Sequence, residues 1–179
     1  MRASVWAPRA EQVELVLVDG TRHPLDGGEG GWHAGGPDLA HGEEYRFALD
    51  GGEPLPDPRS HHQPDGIDGP SAVVDHLRFP WTDQAWRGFH LPGSVLYELH
   101  VGTFGETGDF DGAIQHLDHL VELGVDAVEV LPVAEAMGER GWGYDGVLLY
   151  AVHHAYGGPD AFQRFVDACH HRGIGVVLD

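Results

Sequence analysis

From Ser94 onward, apolar strands alternate with segments of helical period, and this alternation constrains the fold more than any other feature of the chain. Val95-Leu96-Tyr97-Glu98-Leu99-His100-Val101 reads as a mostly apolar strand. Asp109 then offers a cap, Phe110, Ile114, Leu117 and Val121 recur at three- and four-residue steps, and Gly124 stops the helix. Residues 125–131 form a second apolar strand closed by Pro132, and residues 174–178 a third. Between them a helix opens at Pro159-Asp160 and carries the stripe Phe162, Phe165, Val166 and Cys169. His170, His171 and Arg172 suit its negative end, and Gly173 terminates it. Near-continuous apolar strands joined by helices pair in parallel through right-handed crossovers. Pattern alone leaves two architectures open: a small doubly wound sheet, or the opening of a barrel that closes with eight strands.

The second strand and second helix are joined by a connection of roughly 25 residues, where about two to six are usual. Within it lies Gly141-Trp142-Gly143-Tyr144-Asp145-Gly146, at the carboxyl edge of a strand, where parallel-sheet proteins build their sites. Trp142 and Tyr144 offer flat apolar faces with polar edges suited to stacking on a sugar ring, and Asp145 adds an acceptor for hydroxyls. The plainer alternative is that both aromatics fill the end of the barrel and Asp145 caps a turn. Asp179 follows an otherwise apolar strand, a position that points at the site or caps a following helix. Glu98 and His100 alternate along the first strand, so they share a face as hydrogen-bonded structural groups.

Up to about Leu49 the pattern is one of strands and turns. Val13, Leu15 and Leu17 share a face, and Tyr45, Phe47 and Leu49 alternate with Glu44, Arg46 and Ala48, the period of half-buried antiparallel strands. Turn signals such as Asp19-Gly20, Gly35-Gly36-Pro37 and Asp50-Gly51-Gly52 separate them, which suggests a small sandwich. The segment between Pro54 and Pro70 is rich in Pro, Asp and His, and its prolines make it an ordered connector. Phe79, Trp81 and Trp86 follow at spacings that suit packing between domains.

The chain is 41% hydrophobic, enough to bury a core, and carries a net charge of −19 that repels phosphate backbones, so nucleic acid is excluded as a partner. A neutral ligand such as a sugar meets no such field. The single cysteine, Cys169, permits no intrachain disulfide and sits on the helix stripe as a core residue. No apolar run is long enough to span a membrane, and the expected location is the cytoplasm. Fourteen histidines invite a metal reading. The pairs His61-His62, His153-His154 and His170-His171 are sequence neighbours expected to point apart, so no metal and no cofactor is expected. Neither a phosphate-cradling glycine loop nor a G-x-S-x-G elbow is present.

Several stretches together resemble one family. They are Val5-Trp6-Ala7-Pro8, Leu55-Pro56-Asp57-Pro58-Arg59-Ser60, Tyr97-Glu98-Leu99-His100-Val101-Gly102-Thr103-Phe104, Gly141 to Val147, Tyr156-Gly157-Gly158-Pro159 and Val176-Val177-Leu178-Asp179. The pattern is that of the α-amylase superfamily, and within it the chain resembles the malto-oligosyltrehalose trehalohydrolases. That resemblance implies an amino-terminal all-β, immunoglobulin-like sandwich of carbohydrate-binding type over 1–75 and a connector over 76–93. It implies the first three β/α units of an incomplete (β/α)8 TIM barrel over 94–179. It implies hydrolysis of the α-1,4-glucosidic bond next to the terminal trehalose of malto-oligosyl trehalose, with that glucan as partner. Tyr144 then matches the tyrosine that stacks at the scissile bond, with Trp142 and Asp145 beside it. Asp179 matches the first aspartate of the first signature segment. The catalytic nucleophile and acid/base are implied to come from later strands, beyond Asp179, so 1–179 is expected to be an inactive fragment. Glycogen branching or debranching relatives, and a non-catalytic glucan-binding module, are the competing readings.

Overall fold

The computed structural model describes residues 1–179. Its amino-terminal part is two antiparallel sheets. Strand β1 (Arg2–Trp6) pairs with β5 (Trp32–Asp38), which also pairs with β4 (Asp26–Gly27). The facing sheet runs β3 (Arg22–Pro24), β2 (Val13–Leu17), β6 (Glu44–Leu49), β7 (Ser71–Ala72). The expected alternation holds: Val13 and Leu15 of β2 and Tyr45 and Phe47 of β6 point into one core with Ala3, Val5, Leu25 and Leu39.

The connector is ordered by buried polar contacts. Gln63 and Ser71 are fully buried, with the Ser71 hydroxyl donating to Gln63 Oε1 at 2.6 Å and accepting from the Asp57 amide at 2.9 Å. The Tyr45 hydroxyl donates to Asp57 Oδ2 at 2.7 Å, and burial pushes that phenol above its usual range. These bonds satisfy groups that would otherwise be expensive to bury.

The carboxyl-terminal part is a parallel sheet, β8 (Leu96–Leu99), β9 (Ala127–Val130) and β12 (Gly175–Leu178), in the order β12-β9-β8. Val128 and Val130 face helices α2 (Phe110–Ile114), α3 (Leu117–Glu122) and α4 (Gly158–His171), where Phe110, Leu117, Leu120, Phe165 and Cys169 complete the core. Phe110 lies 5.0 Å and 5.3 Å from the rings of Phe162 and Phe165, so aromatic packing joins the two crossovers. Burial pushes the Cys169 thiol up to about 12, the state of an inert core thiol.

Three local expectations differ. The first strand ends at Leu99, and Val101–Phe104 form a helical turn, α1. The helix expected from Phe110 to Val121 is broken at Gln115-His116 into α2 and α3, with the Asp109 carboxylate capping the first by accepting from the Gly112 amide at 2.7 Å. The long connection contains a hairpin, β10 (Ala134–Glu135) with β11 (Leu148–Val152), whose short edges carry too little periodicity to read.

The connector between the two parts docks on α4. Trp86 stacks on His170 at 4.6 Å and 10°, His170 Nδ1 meets Asp83 Oδ2 at 2.6 Å, and the Thr82 hydroxyl donates to Asp167 Oδ2 at 2.7 Å. Trp86 is therefore a packing group, whereas Trp81 lines the groove described below. Phe89 then reaches the amino end of the parallel sheet, where a Cβ on Gly175 would lie 2.2 Å from its ring. Glycine at 175 leaves the space that ring fills.

Candidate functional site

The site lies where β9 and β12 end. After Pro132 the chain makes β10, turns through residues 136–147, and returns as β11. Gly143 has φ +90, and a Cβ there would stand 2.1 Å from the Pro132 carbonyl oxygen. The loop backbone thus presses directly on the end of β9, which only glycine allows. A Cβ on Gly146 would meet that of Ala134 at 2.7 Å, a second close approach that folds the loop on its own stem.

This places Tyr144 over the carboxyl end of the sheet, 64% exposed. Its hydroxyl donates to Asp179 Oδ2 at 2.8 Å, and that bond raises the phenol above its ordinary range. Asp179, immediately after β12, is itself held by its amide donating to the Val130 carbonyl at 3.1 Å. Both line a groove of about 680 Å³ with Pro132, Gly143, Leu149 and Tyr150. Glu98 and Glu129 are direct cross-strand neighbours of β8 and β9, and the negative charge of both reaches Tyr144. Glu129 escapes notice in the sequence because a lone carboxylate in an apolar strand has no partner until the register is known.

The structure brings Tyr144 and Asp179 together but not the other two. Trp142, 76% exposed, lines a separate cavity of about 320 Å³ with His100, Thr103 and Gly141. Asp145 turns the other way, into a cleft with His153 and Tyr156. Gly143, between them, reverses the chain so that neighbouring side chains diverge. His100 keeps its structural reading: its Nε2 contacts the Gly141 carbonyl at 2.7 Å and pins the loop to the end of β8.

His153 and His154 do not point apart. β11 ends at Val152 and the chain enters a 3-10 turn over His154–Tyr156, so strand alternation no longer applies. Both imidazoles turn toward Glu135, which is fully buried at the end of β10. Burial holds His153 below the usual histidine range.

Comparison with known proteins gives this geometry a lineage. Residues 68–179 match the alpha amylase catalytic domain, and residues 1–65 match carbohydrate-binding module 48, the isoamylase N-terminal domain. The chain belongs to the α-amylase family. Its parallel strands are accordingly the first three of that family's barrel, with the module-48 sandwich before them. The chain is 55% identical to malto-oligosyltrehalose trehalohydrolase of Arthrobacter ramosus, over 99% of the chain and 32% of that protein. It is 46% identical to the enzyme of the same name from Rhizobium sp., over 99% and 31%. A Salmonella typhimurium protein assigned to the alpha amylases superposes with a TM-score of 0.94 at 45% identity, over 99% of this chain and 30% of that one. The chain thus spans about a third of the length of the curated relatives it matches. No helix in it is long and apolar enough to cross a membrane.

Proposed function

We propose that the protein to which this chain belongs hydrolyses the α-1,4-glucosidic bond next to the terminal trehalose of malto-oligosyl trehalose and releases trehalose. The observation that carries the reading is the Tyr144–Asp179 pair, 2.8 Å apart at the carboxyl ends of barrel strands. An exposed ring beside a carboxylate is the equipment for holding one glucose unit: the ring covers the apolar face of the sugar and the oxygens accept from its hydroxyls. Agreement at 55% identity with a trehalohydrolase, over nearly the whole chain, supports this substrate over other α-glucans.

In this reading Tyr144 and Asp179 contact the sugar at the bond to be cut. Trp142, from its own cavity, and Asp145, exposed on the same loop, contact the glucan beside them. Residues 1–75 serve as the carbohydrate-binding sandwich, 76–93 as the connector and 94–179 as the start of the catalytic barrel. Double displacement needs two carboxyl groups about 5–5.5 Å apart across the bond. We assign no residue of this chain to that pair and take both to come from later strands of the barrel. The cytoplasm is the proposed location, supported by a single, buried, unpaired thiol.

Incubating the full-length protein with malto-oligosyl trehalose tests the assignment. Free trehalose should appear, together with a maltodextrin shortened at that end. Formation of branched glucan with no trehalose would instead assign the protein to the branching enzymes.

A further inference from the structure

Glu135, His153 and His154 draw attention because a wholly buried carboxylate is answered only by two imidazoles and one backbone amide. Glu135 has no exposed surface, and no arginine pairs with it. Its Oε2 accepts from the His154 amide at 2.8 Å, and its Oε1 lies 2.9 Å from His154 Nδ1 and 3.8 Å from His153 Nδ1. One ligand atom from each of the three residues lies within 4.8 Å of the others. A charge taken fully out of water calls for compensation of this kind.

We propose that these three residues bind one divalent cation of the zinc type, which staples the base of the β10–β11 hairpin. Zinc bonds of about 2.0–2.2 Å in a tetrahedron hold neighbouring ligands roughly 3.3 Å apart. The two separations from Glu135 Oε1 are 2.9 Å and 3.8 Å and all three ligand atoms lie within 4.8 Å of one another, so side-chain rotations that draw the imidazoles together seat the ion. Two nitrogens and one carboxylate oxygen suit zinc; calcium and magnesium seek cages of oxygen. The surroundings hold the ligands in place. The His153 ring packs 4.9 Å from Tyr156, and its Nδ1 accepts from the Ala155 amide at 3.2 Å, which fixes the ring beside Glu135. Binding exchanges this contact for the metal bond and expels the proton shared between His154 and Glu135. The His154 side chain, 26% exposed, is the way in, and the fourth position stays open to water.

The ligands sit where β10 ends and where β11 has just ended, so the ion closes the stem of the loop that carries Tyr144. Full-length protein, stripped with a chelator and dialysed, is titrated with Zn²⁺ by calorimetry and with Co²⁺ by visible absorption. One equivalent of Zn²⁺ should bind with proton release and raise the melting temperature, and Co²⁺ should give the intense bands of a four-coordinate site. His154→Gln, at a partly exposed position that tolerates the change, should abolish the Co²⁺ bands while the fold is retained; Glu135→Gln should do the same. Exposed His119→Gln should leave both signals intact. Absence of stoichiometric binding, or Co²⁺ bands that survive in the folded His154→Gln protein, overturns the proposal.

Discussion

At the scale of the residue, the hydroxyl of Tyr144 and its ring are separable. Tyr144→Phe keeps the stacking face and removes only the bond to Asp179. Losing it should lower kcat/KM of the full-length enzyme about tenfold. Tyr144→Ala also loses the ring and should cost a further factor of roughly ten. Steady-state kinetics on malto-oligosyl trehalose, with circular dichroism to show an intact fold, measures both. Wild-type rates in both variants would remove Tyr144 from the site. Tyr144 could be picked out from sequence because it lies in a glycine-rich loop that leaves a strand end. Its pairing with Asp179, 35 residues away, could not, since that distance is set by the third strand's register.

At the scale of the element, two glycines make the architecture testable. Gly143→Ala forces a Cβ into left-handed backbone and against the Pro132 carbonyl, so the loop must lift from the end of β9. Activity should collapse while the melting temperature changes little, because the loop tip adds nothing to the main core. Equal loss of stability and activity would show instead that the loop folds as part of the barrel. Gly175→Ala acts elsewhere: its methyl group meets the Phe89 ring at the amino end of the sheet. Overpacking of this kind costs about 1–3 kcal/mol. Chemical denaturation should report it, and Phe89→Leu in the same chain should recover part of the loss. The hairpin and the split between α2 and α3 were invisible in the sequence for a common reason. A two-residue strand and a break at Gln115-His116 leave the apolar spacing almost unchanged, and packing decides them.

At the scale of the whole molecule, histidines stand where the sandwich and its connector meet the barrel. Burial lowers both His61 and His62 below the ordinary histidine range, with His76 beside the first and Asp160, His41, Glu135 and Glu44 facing the second. A histidine whose folded value is depressed binds protons more readily when unfolded, so acid favours unfolding. Stability from these two groups is therefore present above the ordinary histidine range and declines as pH falls through about 6.5. Thermal melts between pH 7.5 and pH 5.5, conditions chosen to bracket that window, should show a falling melting temperature, shallower in His62→Gln. A flat profile, or one unchanged by the substitution, would place the two rings in solvent.

By itself the sequence determined an all-β part followed by alternating strands and helices, because period-two and helical-period apolar patterns bury their faces in different ways. It also determined that a glycine-rich loop with two aromatics leaves the end of a strand, and that Cys169 belongs to the core. Only the tertiary structure decided which of those groups meet. Tyr144 and Asp179 share a groove because two strands end side by side, while Gly143 turns Trp142 into a cavity of its own and Asp145 toward His153 and Tyr156. Glu135, His153 and His154 converge because a hairpin closes and a strand gives way to a tight turn. Contacts between residues distant in sequence depend on register and turn geometry, and neither is written in local periodicity.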